Sequence, residues 1–121
     1  MRKQLYLSFI FMGFLWTCKI NKKQDGSTNN STPACILKKI ENFSKESCAK
    51  GPNVKEYTFQ NKQVFVFDQG NCGNDMTSEV VDAECNNMGY LGGFTGNVKI
   101  NGEDFEHALL IKLLWEKPVM E

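Results

Sequence analysis

Five cysteines carry most of the chemistry open to this sequence: Cys18, Cys35, Cys48, Cys72 and Cys85. The last four are separated by 12, 23 and 12 intervening residues. Structural zinc sites draw on Cys pairs typically about two to four residues apart, and His107 is the sole histidine that could help. An even set of thiols in a small exported chain reads instead as two disulfides. If residues 35–48 form one helix, its ends lie about 20 Å apart at 1.5 Å per residue, too far for a bond needing Cα atoms within about 7 Å. Cys35 and Cys48 would then each pair with Cys72 or Cys85, whereas a break near Phe43-Ser44 would restore local pairing.

Carboxylates come next. Residues 68–79, DQGNCGNDMTSE, put Asp68, Gly73 and Glu79 at the first, sixth and twelfth positions of an EF-hand-like loop. Calcium needs oxygens at the third and fifth positions as well, and these are Gly70 and Cys72. The stretch therefore reads as a polar turn holding a disulfide, with a looser oxygen set of Asp68, Asn71, Asn74 and Asp75 as the weaker alternative. Asp82 and Glu84, two apart on an expected strand, share one face and read as solvated. A nucleophilic pair would have to use His107, which sits beside Glu106 with no nucleophile motif nearby. The glycine-rich run 89–96, GYLGGFTG, lacks both the phosphate-loop and the dinucleotide patterns. Its glycines are expected to supply turns and close packing. No cofactor and no metal follow from these residues.

The elements that must position these groups begin after an N-terminal targeting region. Arg2 and Lys3 precede a 12-residue apolar stretch, residues 5–16, LYLSFIFMGFLW. That length fits a signal-peptide core and falls short of the roughly 20 residues a spanning helix needs. Leu15-Trp16-Thr17-Cys18 resembles the lipobox of bacterial lipoproteins, with Leu three residues before the Cys that carries lipid; Thr17 and Trp16 depart from its usual small residues. The expected organisation is a signal peptide at 1–17, a lipid-carrying Cys18 with a flexible linker to residue 33, and a small domain at 34–121. The linker, KINKKQDGSTNNSTP, holds almost no apolar residue and cannot offset its ordering entropy. Its reach of about 20 Å would lift a domain off a membrane.

The 121 residues balance 14 basic against 14 acidic side chains, and cleavage after residue 17 would leave 12 against 14. Nucleic-acid binders concentrate basic charge on one face; no such concentration appears, and no nucleic-acid partner is expected. Lys19, Lys22 and Lys23 stand beside the expected anchor, where lipid head groups or water would surround them.

From residue 34 the pattern is one helix followed by strands. Ile36, Leu37, Ile40 and Phe43 repeat at helical spacing, with Ser31 or Thr32 as cap and Pro33 at the first helical position. Residues 54–60 and 63–68 alternate and are rich in aromatics, giving a hairpin around Asn61-Lys62 with Tyr57, Phe59, Phe65 and Phe67 in its packing. Residues 79–85 read as a short strand, 89–96 as turns, and 103–107 as one helical turn. Residues 109–115, LLIKLLW, read as a buried strand because only seven residues precede the break toward Pro118. The expected fold class is α+β: one N-terminal helix on a small antiparallel sheet, stapled by disulfides.

With these motifs in view, the segment 55–97 resembles a family of small envelope lipoproteins, a domain of unknown function frequent in Bacteroidota. The likeness runs from Cys35 to Trp115 and is clearest at Gly70 to Asp75, at Thr77-Ser78-Glu79-Val80 and at Leu91 to Asn97. It implies an exported, tethered domain in the cell envelope, on the periplasmic or the surface side of a membrane, and brings no activity with it. Two functions from different classes follow. One is a non-catalytic module, held at the membrane through its N-terminal lipid, that recruits an envelope protein or glycan by a sheet edge or the glycine-rich loop. The other is a small exported hydrolase using Asp68, Asp75 or His107, or a secreted inhibitor of the same format.

Overall fold

The computed structural model describes residues 31–119. The expected signal peptide, Cys18 and most of the linker lie outside the described residues. One helix, α1 (Ala34–Glu46), precedes strands β1 (Asn53–Phe59), β2 (Lys62–Asp68), β3 (Thr77–Asp82) and β4 (Asn87–Gly92). Two short strands follow, β5 (Lys99–Ile100) and β6 (Glu103–Asp104), then a 3-10 turn (Phe105–His107) and β7 (Leu109–Glu116). β1 to β4 form an antiparallel meander, and β7 returns to pair antiparallel with β1, giving the order β4-β3-β2-β1-β7. The α+β architecture with one helix and a stapled antiparallel sheet is thus the observed one. No helix among the described residues is long and apolar enough to cross a membrane.

The central strands are apolar on both sides. In β2, Val64 and Val66 point one way and Phe65 and Phe67 the other, and all four are buried. Phe65 and Phe67 join Val54 and Val81 under Ile36 of the helix, with Ile40, Phe43 and Trp115 at the margin. Phe43 meets Phe67 and Trp115 edge-on, at centroid distances of 5.4 and 5.7 Å. Val64 and Val66 join Phe59, Val80 and Ile100 on the other side, where the described residues place no α-helix. There the cover is the irregular chain from 93 to 108.

The helix is held at both ends. Cys35 is bonded to Cys85 and Cys48 to Cys72, with Cα separations of 6.2 and 5.8 Å. This is one of the two long-range pairings that an unbroken helix leaves open. Lys39 reaches Glu79 of β3 at 2.9 Å, and Lys117 Nζ donates to the carbonyls of Ser47 (2.7 Å) and Ser44 (3.3 Å), where the helix end leaves its acceptors unpaired.

Several local expectations are corrected. Pro33 is the N-cap residue and not the first helical one, and no side chain caps the helix start. The hairpin turn is Gln60-Asn61, both at positive φ as a two-residue turn demands, so Lys62 already belongs to β2. The third strand begins earlier, at Thr77, and ends at Asp82; residues 83–86 connect it to β4. Gly89 lies inside β4 opposite Val80, so only the second half of the glycine run turns. Glu103 and Asp104 are strand, and the helical turn is confined to the next three residues. Residues 109–115 are strand as expected, but half-exposed at the end of the strand order, paired with β1 among the described residues.

Candidate functional site

Among the described residues, a concavity lies on the side of the sheet away from the helix. Its volume is about 840 Å³, within the usual range for ligand clefts of about 300–1,000 Å³. Tyr57 of β1, Leu91 of β4, Val98, Phe105 and Ala108 give it an apolar lining, and the carboxylates of Asp104 and Glu106 add a polar one. Phe105 packs on Tyr57 and Phe59 at centroid distances of 5.2 and 5.0 Å, which seats the 3-10 turn on the sheet. Its backbone N–H donates to Val98 O at 2.9 Å, tying that turn to the chain entering β5. Burial, helped by the charge of Asp68, raises the pKa of the Tyr57 hydroxyl above its ordinary value.

The other wall is the glycine-rich turn. Gly92 and Asn97 exchange both backbone hydrogen bonds, at 2.8 and 3.1 Å, and Gly96 N–H donates to Gly93 O at 3.1 Å. Gly93 sits at φ +75°, and a Cβ there would lie 2.7 Å from Thr77 Cγ2. The position therefore requires glycine on conformational and steric grounds alike. Asn97 Nδ2 donates to the carbonyls of Tyr90 (2.6 Å) and Lys99 (2.9 Å), while its Oδ1 accepts from Lys99 N–H (3.2 Å). The turn is thus tied to its own surroundings, and it carries Phe94 at its apex, 90% exposed.

The residues singled out by type fall elsewhere. Asp68 Oδ1 accepts the Gly70 N–H at 2.7 Å, closing a local turn. Glu79 bonds Lys39 on the helix side and accepts from Asn87. Asp68 follows Phe67, the residue paired with Glu79, so strand alternation turns the two carboxylates to opposite faces and the EF-hand-like spacing does not converge. Among the described residues no three His, Cys, Asp or Glu side chains gather as a metal site. Asp75 is exposed in the loop between β2 and β3, and His107 Nδ1 lies 3.2 Å from Glu103 Oε1; neither lines the cleft, nor does Asp68.

Asp82 and Glu84 do not share a strand face. Asp82 ends β3, and its carboxylate accepts from the backbone N–H groups of Glu84 (3.0 Å) and Asn86 (2.8 Å) and from Asn86 Nδ2 (3.2 Å). Desolvation pushes the Asp82 pKa up, but the Asn86 and Glu84 hydrogen bonds and the nearby Lys62 charge together bring it below the ordinary carboxylate value. Asp82 is therefore a turn-holding carboxylate.

Two features escape a reading by residue type. The cleft is assembled from β1, the β4–β5 turn and the chain around the 3-10 turn, and no local spacing announces it. Glu56 is only 3% exposed on the helix side; its Oε1 accepts from Gln63 Nε2 at 2.9 Å and its Oε2 lies 3.7 Å from Lys112 Nζ. The alternation of β1 does signal this residue, because Glu56 shares the parity of buried Val54.

Fold and cleft together define a small disulfide-stapled α+β domain with an open, largely apolar concavity. Residues 38–117 match the sequence model of a domain of unknown function, DUF6970, and the chain belongs to that family. No curated protein and no solved structure matches the chain.

Proposed function

We propose that this chain is an exported, lipid-tethered module of the cell envelope that recruits a protein partner through the cleft and its glycine-rich wall. The observation that carries the reading is Phe94: a large apolar side chain, 90% exposed, on a turn fixed by Asn97 and Gly93 beside a cleft with an apolar lining. Aromatic anchors held rigid beforehand lose little freedom on docking and dominate interface energies. The apolar cleft lining favours a protein over a glycan.

Export and anchoring rest on sequence and covalent chemistry. A positive start, a 12-residue apolar stretch and Leu15 three residues before Cys18 support lipid attachment. Two disulfides suit a chain that folds in an oxidising, extracytoplasmic compartment. The polar linker gives the domain its distance from the membrane surface.

The test is a crosslinking pull-down from bacterial envelopes with the full chain and its Phe94→Ala variant, alongside the intact mass of the recovered protein. The reading expects one enriched protein, lost in the variant, and a mass lacking residues 1–17 with acyl chains added. Equal capture by Phe94→Ala would remove the cleft from the reading, capture of glycan would correct the partner, and an uncleaved N-terminus would end the tether.

A further inference from the structure

We infer that Asn101-Gly102 is a site of spontaneous deamidation, at which water converts the Asn101 side-chain amide into an aspartyl or isoaspartyl group. It is the one Asn-Gly pair in the sequence. The two residues form the whole connection between β5 and β6, with Ile100 paired to Glu103 across it. Both lie at positive φ, +48° and +78°, and both are exposed. A two-residue hairpin turn favours Asn followed by Gly, so the residues that suit the turn also suit the reaction.

The Gly102 nitrogen, once its proton passes to hydroxide, attacks Cγ of Asn101. The bond from Cγ to Nδ2 breaks, ammonia leaves and a cyclic imide remains. Water then opens the ring. Breaking its bond at Cγ gives aspartate; breaking it at the main-chain carbonyl gives isoaspartate, with the chain running through the side chain. The sum is amide plus water giving carboxylic acid plus ammonia, with no change of oxidation state.

The local geometry meets each requirement. The Gly102 N–H is bonded to no acceptor among the described residues. A Cβ at Gly102 would have nothing within 4 Å, so the ring has room to close. The Asn101 amide makes a single long contact, Nδ2 to Gln60 Oε1 at 3.4 Å. Closure also asks the Asn101 backbone to rotate, which a ladder of two residue pairs permits by opening locally. Other asparagines differ. Asn97 is tied to Tyr90 and Lys99 and is followed by Val98, and Asn87 donates to Glu79 and is followed by Met88. In both, the next side chain crowds the attacking nitrogen.

The product changes the wall of the cleft. Gln60 Nε2 donates to Glu103 Oε2 at 3.0 Å. A carboxylate at position 101 cannot donate to Gln60 and competes with Glu103 for that amide. The isoaspartyl form also lengthens the main chain of a two-residue turn, so Ile100 and Glu103 lose their register. Ile100 is a core residue, 1% exposed, and the next residues after Glu103, Asp104 and Phe105, line the cleft.

The experiment holds the full chain, disulfides intact, in mildly alkaline buffer, beside a sample in urea at the same pH. Peptide fragmentation then locates every amide-to-acid mass gain. The folded chain is expected to convert at Asn101, as separable aspartyl and isoaspartyl forms, while Asn87 and Asn97 stay amides. The rate should rise with hydroxide, and Gly102→Ala should suppress it. Alanine is strained at that φ, so if the variant does not fold, the folded and urea samples of the wild type decide the matter. After conversion, the backbone amides of residues 98–105 should exchange with solvent faster, and those of β2 at an unchanged rate. An Asn101 that stays an amide in the folded chain, whether or not urea releases it, would overturn the inference. Conversion of Asn87 or Asn97 at the rate of Asn101, or unchanged exchange at 98–105, would overturn it as well.

Discussion

The two sides of the sheet are covered in different ways. On one, a thirteen-residue helix repeats its apolar residues at helical spacing and lays Ile36, Ile40 and Phe43 against Phe65, Phe67 and Val81. Two disulfides, the Lys39–Glu79 pair and the Lys117 bonds to the helix end hold that cover down. On the other side the cover is turns, a two-residue ladder between β5 and β6 and a 3-10 turn. A regular helix can present a continuous stripe to a sheet, but a succession of turns cannot, and the space it leaves is the cleft. The covalent staples lie on the helix side and the concavity on the other. The difference teaches that stability and recognition in this small domain are built on opposite sides of the same strands.

The sharpest way to break that comparison is to remove a staple. The Cys35–Cys85 bond spans 50 residues, and the chain-entropy argument gives it about 4 kcal/mol. Cys35→Ser with Cys85→Ser should lower unfolding stability by roughly that amount, read as a reduced midpoint in urea together with a steeper slope, because the freed unfolded chain exposes more surface. A loss under about 1 kcal/mol would mean that helix packing holds without the bond and that the helix side is not the covalently dependent one.

How much of this division is written in the chain is uneven. The alternation of residues 54–60 and 63–68 announces β1 and β2, because a period of two survives even when both faces are buried. Four cysteines spaced far apart announce the staples, and helix length leaves two pairings open without choosing between them. The glycine run hides β4, since Gly89 offers no side chain to alternate and is strand only through its partner Val80. Residues 109–115 look buried because they are apolar; their edge position depends on which strand pairs with β1, a non-local fact. The cleft is the least legible part, for its lining residues come from separate segments and none belongs to a motif whose spacing would single it out. Glu56 stands between these cases: its parity was visible, and its partner Lys112 was not.

Packing supplies the second prediction. Phe67 is fully enclosed under the helix, whereas Phe105 is half-buried at the cleft. Phe67→Ala should cost about 3–5 kcal/mol through lost burial and a cavity the helix cannot close. Phe105→Ala should cost about 1–2 kcal/mol, because less of its surface is removed from water and the turn can relax. Parallel urea titrations of the two variants check this. Equal losses would show that the irregular cover is as tightly integrated as the helix, and the two-sided picture would fail.

The smallest effect concerns Asp82, where the two sides meet. Its carboxylate holds the connection at 83–86, which carries Cys85 at φ +65° into the bond with the helix. Its pKa is depressed in the folded chain, by hydrogen bonds from Asn86 and Glu84 and the Lys62 charge acting against desolvation. The unfolded chain therefore takes up the proton at higher pH than the folded one. The stability that Asp82 contributes is present above the unfolded carboxylate pKa of about 3.9 and is lost as pH falls through the folded value. Asp82→Asn keeps the shape but removes the titration. Thermal midpoints measured from pH 6 down to pH 2 should fall more steeply for the wild type than for Asp82→Asn, with the disulfides intact throughout. Parallel slopes would mean that the turn is set by Cys85 and the bond to Cys35 alone, making the helix anchor purely covalent; a steeper wild-type fall makes it partly electrostatic.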